Sequence, residues 1–287
     1  MGLFSGLESL GFKTSNMELY PKEESRVKPG AASDSQKGKT EVLLKEEDCL
    51  FPKTHICPVC DKKFKTLSVR AGKLRSIGQD EDLRPLYREM DPLKYDAIVC
   101  PNCGYAAVSR YFDIMLPVQK KRIREEIQKN FGGMEVSTDV FSYDEAILRY
   151  KMVLMNDVVG AVKSSRKAYT CLKLAWIIRG KLEKEGPKLE PSECDKLHDD
   201  EMECIQNAYE GYVMAFSNEN FPMSGMDELT VTYLTAELAF KLEKYRESLQ
   251  LVYKIIGNNA ASSRMKEKSL DLKERIRSQV KEEKIES

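Results

Sequence analysis

The spacing of apolar positions divides the chain into stretches of different kinds. At the start, Leu3, Leu7 and Leu10 recur at an interval that places them on one helical face, with Phe4 beside them, so residues 1–20 read as a short apolar tag. Residues 21–41 are dominated by Pro, Gly, Ser, Lys and Glu, which bury too little apolar surface to offset the entropy of ordering, and they predict a disordered linker. Over residues 42–116 the apolar period shortens towards two. Leu67, Val69 and Ala71 alternate with Ser68 and Arg70 as in a half-buried strand, Gly72 is expected to introduce a bulge shifting the register to Leu74, and a second strand is predicted over Ala97 to Cys100. The polar stretch from Ile77 to Pro92, rich in Asp, Arg and Pro, is expected to be an ordered loop.

Residues 117–283 are helical in period. Ile123 and Ile127 share one side of a charged helix that stops near Gly132 and Gly133. A helix over Tyr143 to Met155 follows, then a longer one marked by Tyr169, Leu172, Trp176 and Leu182. The next opens at Pro191, with Ser192 as the expected N-cap and Asp195 completing a capping box, and it carries the stripe Met202, Ile205, Tyr209, Tyr212 and Phe216. Three more helices are predicted over Asp227 to Leu242, Tyr245 to Ile256 and Ser263 to Val280, the last ending in a charged tail. The pattern predicts an α+β fold, mostly α: a small β domain followed by an antiparallel helical domain. Tyr143, Ala146 and Tyr150, and again Ala236, Ala239, Tyr245, Ser248, Val252 and Ile255, fall where a tetratricopeptide repeat packs its small and aromatic residues. The helices between these echoes are too long for a unit of about 34 residues, so a plain helical bundle is an equal reading of the same stripes.

Charge narrows the function. The 46 Lys and Arg cancel the 46 Asp and Glu, so no global field draws the chain to nucleic acid or an anionic membrane. No apolar run is long enough for a transmembrane segment and the start lacks a secretory pattern, which makes a cytoplasmic protein the expectation. In that reducing setting, cysteines favour metal ligation over disulfides. Four of the eight form two pairs, Cys57-Pro-Val-Cys60 and Cys100-Pro-Asn-Cys103, whereas Cys49, Cys171, Cys194 and Cys204 show no such spacing.

In each pair, two intervening residues let two thiolates converge on one tetrahedral ion, and the residue after the second cysteine needs a left-handed backbone, which Gly104 adopts freely and Asp61 tolerates. Two such knuckles predict one structural Zn2+ held by Cys57, Cys60, Cys100 and Cys103 in a zinc-ribbon-like domain, with no coordination position left for catalysis. A redox dithiol is the alternative for a Cys-x-x-Cys pair, though it would need only one pair, at a helix N-terminus. His55 and Cys49 lie near the first knuckle and are alternative ligands, but neither has its spacing, and their ordinary readings are a loop histidine and a small buried hydrophobe.

Basic residues from Lys62 to Arg110 are interleaved with Phe64, Tyr87 and Tyr95, but Asp61, Asp80, Glu81, Asp82, Glu89, Asp91 and Asp96 answer most of them, so a solvated mixed-charge face is favoured over a nucleic-acid surface. Arg70, Lys73 and Arg75 are the candidates for nucleic-acid contact. The only histidines are His55 and His198, the latter in a charged helical stretch, and no phosphate loop or nucleophile motif occurs.

The knuckles, Val69-Arg70-Ala71-Gly72-Lys73-Leu74-Arg75, Asp91-Pro92-Leu93-Lys94-Tyr95-Asp96 and Cys100-Pro101-Asn102-Cys103-Gly104-Tyr105-Ala106-Ala107 resemble the bacterial domain-of-unknown-function 2225 family over most of residues 50 to 280. The resemblance implies a bacterial cytosolic protein with a zinc-ribbon-like front and a tetratricopeptide-like back, and it supplies no reaction. The expectation is a non-enzymatic adaptor with a protein or peptide partner; the apolar tag is read either as a docking peptide for a groove in this chain or in that partner, or as a disordered start with incidental leucines.

Overall fold

The computed structural model describes residues 2–12, 44–134 and 139–286, with backbone only for 282–286. The predicted linker 21–41 lies outside the described residues. The fold is α+β and mostly α: a small antiparallel β region is followed by helices.

The β region consists of three separate two-stranded ribbons. β1 (Leu50–Ile56) pairs with β2 (Lys63–Val69), β3 (Ser76–Gln79) with β4 (Pro85–Tyr87), and β5 (Ala97–Val99) with β6 (Ala106–Val108). A lone ribbon is marginal in water and must be packed against something. For β5 and β6 that support is the helix Tyr143–Val159, and all six of their residues are buried.

Two local expectations are corrected. The strand expected to run through Ala71 stops at Val69, opposite Leu50, where the partner strand begins; one further bond, Arg70 N to Cys49 O at 2.8 Å, closes the end, residues Ala71–Lys73 form a 3-10 turn, and no bulge sits at Gly72. The register shift falls instead between Ser76 and Gly78, inside the expected loop, which folds as the β3–β4 hairpin.

The helices are α1 (Pro117–Ile123), continued by one π turn at Arg124–Gln128, then α2 (Tyr143–Val159), α3 (Ser164–Glu185), α4 (Pro191–Asn218), α5 (Glu228–Lys241), α6 (Tyr245–Ile256) and α7 (Ser263–Glu286). From α2 to α7 each packs on the next. Ser142 caps α2 by accepting from Glu145 N at 3.1 Å, and Asp227 caps α5 by accepting from Thr230 N at 2.7 Å. The N-cap of α4 is Glu190, not Ser192: Pro191 takes the first helical position, where its missing N–H costs nothing, and Glu193 Oε2 accepts from Glu190 N at 3.4 Å.

One large core runs without a break from Val99 and Ala106 through Tyr150, Leu154, Ile177 and Tyr212 to Val231. Leu3, Phe4, Leu7 and Phe12 of the N-terminal tag belong to it. A second core joins α5, α6 and α7 through Tyr233, Ala236, Val252, Ile255, Leu272 and Ile276.

The β3–β4 turn is fastened to the helices by ion pairs. Arg179 of α3 meets Asp80 at 3.1 Å, Asp82 at 2.6 Å and Glu201 of α4 at 2.8 Å, and Lys241 of α5 reaches Asp82 at 3.2 Å. Arg84 pairs with Asp80 at 2.7 Å and Glu183 at 2.6 Å. Asp82, Arg84 and Lys94 are buried, which corrects the expectation that these charges form a solvated face. Lys94 is satisfied inside by Glu46 and the Phe141 carbonyl, both at 2.8 Å.

Candidate metal centre

Each knuckle is the turn of a ribbon. Cys57 and Cys60 lie between β1 and β2, Cys100 and Cys103 between β5 and β6, and the two turns share one backbone pattern. Cys57 N donates to Lys62 O at 3.0 Å and Asp61 N to Cys57 O at 2.9 Å; Cys100 N donates to Tyr105 O at 2.8 Å and Gly104 N to Cys100 O at 3.0 Å. Asp61 and Gly104 hold φ of 60° and 71°, the left-handed backbone expected of both.

The fold brings the two turns face to face. Cys57 Sγ lies 3.5 Å from Cys103 Sγ and Cys60 Sγ 3.7 Å from Cys100 Sγ, and all four sulfurs fall within 4.8 Å of one another. A tetrahedron with metal–sulfur bonds of about 2.3 Å has sulfur–sulfur edges of about 3.8 Å, so the set has the size such an ion needs. Three of the cysteines are buried and Cys60 is half-buried.

Electrostatics argue the same way. Cys57 and Cys103 are pushed up, each chiefly by its hydrogen bond with Cys100, and Cys100 is drawn down, chiefly by Cys103. Four adjoining thiolates require a cation, and soft thiolates select a thiophilic one. The four residues therefore fit a metal ion.

Neighbouring groups hold the turns in place. Arg124 donates to Val59 O at 2.9 and 2.6 Å through Nε and Nη2, and Lys120 Nζ reaches Asp61 at 3.2 Å, so α1 and its π turn grip the first knuckle. Asn156 Nδ2 of α2 donates to Gly104 O at 3.0 Å, fixing the second.

The other residues singled out lie elsewhere. His55 is on strand β1, not in a loop, and its ring packs against Phe64 and Phe112. Cys49 is buried with Leu50, Met90, Tyr95 and Phe141. Neither joins the cysteine cluster, the sole group of metal-ligating side chains found among the described residues. His198 is exposed. Arg70 Nε donates to Leu50 O at 3.1 Å and Lys73 Nζ to Asp48 O at 2.8 Å, so two of the three candidate nucleic-acid contacts serve the ribbon's own end. Among the described residues, a cleft of 290 Å³ is lined by Arg84, Asp91, Lys94, Tyr143 and Glu183 without Ser, Cys or His. Burial raises Asp91, whose Oδ1 accepts from Leu93 N at 3.0 Å and caps a turn.

A family model described as an uncharacterized protein conserved in bacteria (DUF2225) matches residues 50–282, the stretch that contains all four clustered cysteines. The chain belongs to this family. Membership agrees with the resemblance read from the knuckles. No curated protein and no solved structure matches the chain. No described helix of this DUF2225 protein is long and apolar enough to cross a membrane.

Proposed function

We propose that this chain is a non-enzymatic, cytoplasmic adaptor in which one structural Zn2+ on Cys57, Cys60, Cys100 and Cys103 fixes a zinc-ribbon-like front against a tetratricopeptide-like helical back that holds a protein or peptide partner. The observation that carries the reading is the closed four-sulfur cluster, with edges of 3.5 and 3.7 Å, built from two turns of the same backbone pattern. When bound, the ion supplies cross-linking charge and no open coordination position. A redox dithiol fits less well because neither pair begins a helix and both pairs converge on one point. A nucleic-acid role fits less well because Arg70 and Lys73 are engaged within the chain.

Elemental analysis of protein purified without added metal tests the metal reading: about one zinc per chain is expected, and Cys100→Ser with Cys103→Ser should abolish it. Wild-type protein free of metal, folded and with titratable thiols would overturn it. Affinity capture tests the adaptor reading, for which a partner protein should be recovered in stoichiometric amount after nuclease treatment. Recovery of nucleic acid alone, lost on raising salt, would replace the adaptor with the nucleic-acid reading.

A further inference from the structure

The N-terminal tag is seated on the body of the protein in the way a bound peptide is. Leu3, Phe4 and Leu7 are buried, the last completely. The flanking polar contacts read backbone. Glu203 Oε1 of α4 accepts from Leu3 N at 2.9 Å, and Lys151 Nζ of α2 donates to Ser5 O at 2.9 Å and Ser5 Oγ at 3.1 Å. Gly132 N donates to Leu10 O at 2.9 Å, and the Phe12 and Phe131 rings stack at 6.2 Å.

The segment also shapes itself. Gly6 and Gly11, with φ of 89° and 94°, bracket its 3-10 turn, and Glu8 Oε2 accepts from Gly6 N at 2.8 Å. Gly11 is required by close approach, since a Cβ there would fall 2.3 Å from the Asn130 carbonyl. Its covalent route to the body runs through residues 13–43. Apolar side chains at i, i+1 and i+4, together with charged side chains that grip main-chain groups, are how a groove recognises a short amphipathic segment.

We propose that the groove between α2 and α4 is this protein's peptide-docking site, that residues 2–12 are its built-in occupant, and that its partner carries a segment of the same Leu-Phe-x-x-Leu pattern. The inference deepens the adaptor reading and rests on it for biological role. The built-in segment acts at an effective concentration set by its covalent connection, so a free segment displaces it only by binding more tightly or at a concentration above that value. The groove is thereby closed to casual apolar peptides and opens to a partner segment of the same pattern that binds more tightly than the built-in one.

Binding of a fluorescein-labelled peptide of residues 1–14 to the full chain, followed by anisotropy, tests the idea without reference to metal or to captured partners. The peptide should bind a full-length Leu7→Asp chain saturably and the wild-type chain at least tenfold more weakly, because the wild-type groove is occupied. Adding Lys151→Ala to the Leu7→Asp chain should weaken binding about tenfold, and a peptide carrying Leu7→Asp should not bind. Binding to neither chain, or equal binding to both, overturns the proposal while leaving the zinc result untouched. Should the Leu7→Asp chain fail to fold, hydrogen exchange on the wild-type chain decides. Amides 3–12 exchanging faster than those of α2 and α4, and faster still when excess unlabelled peptide displaces them while the α2 and α4 amides are unchanged, supports an exchangeable occupant. A single common exchange rate for all three would make the tag a fixed part of the core and overturn it.

Discussion

Asp61 and Gly104 occupy the same place in the two knuckles and adopt the same backbone, yet they tolerate change differently. The side chain of Asp61 points to Lys120 and solvent, whereas a Cβ on Gly104 would fall 2.7 Å from the Phe131 ring and 3.1 Å from Ile127. Gly104→Ala should therefore lower stability by about 2 kcal/mol or more, through backbone strain and displacement of Phe131, while Asp61→Gly should stay within about 1 kcal/mol. Urea midpoints of the two variants check this, and a Gly104→Ala midpoint equal to wild type would refute it. The left-handed turn at both positions was legible from residue type, because it is a local property. The Phe131 contact was not, because it depends on the turn after α1 folding back. Arg84 and Lys94 show the same limit: as residues in a mixed-charge stretch they read as surface, and only the partners Glu183 and Glu46 reveal why they can be buried.

Among the elements, the β3–β4 hairpin departs furthest from its sequence pattern. Its strands are too short to show alternation and one begins with Pro85, so the stretch reads as a loop. Its position depends on Asp82. Burial pushes that carboxyl up, but Arg179 and Lys241 outweigh burial and hold it near about 2. A carboxyl held below its unfolded value contributes stability that is complete above about pH 4 and is lost as pH falls through its folded value. Glu237 and Asp157 act with the opposite sign, since burial raises both and their protonation on mild acidification favours the fold. Between about pH 4 and pH 2, wild-type stability should fall by an amount that Asp82→Asn does not show, the variant being less stable at neutral pH because Arg179 is left partly unpaired. Chemical denaturation across that range measures it, and parallel curves for the two proteins would exclude Asp82 as the source. The start of α4 has a related lesson. Glu190 and Ser192 both begin capping-box spacings, and Pro191, which suits only the first helical position, decides between them.

At the scale of the whole molecule, the mostly helical class and the cysteine quartet were legible because period and spacing are short-range signals. How the β5–β6 ribbon lies on α2, and that the tag closes over α2 and α4, are long-range facts that no window of sequence contains. Because the large core is continuous from β5 to α5, loss of the proposed ion should be felt beyond the ribbons. Chelation should lower the melting temperature of the main calorimetric transition, and an unchanged transition with the metal gone would confine the ion's role to the knuckles.

The cysteine cluster also joins points 46 residues apart in the chain, Cys57 and Cys103. Treated as a cross-link that survives unfolding, it shuts residues 57–103 into a ring and withholds about 4 kcal/mol of loop-closure entropy from the denatured state. The β3–β4 hairpin lies inside that ring and must find Arg179 from there. A chain refolding from urea with the proposed ion retained thus begins with its longest search in the front already closed, and it should fold faster than the same chain refolding in chelator. Stopped-flow refolding in the two buffers reads that difference as a rate.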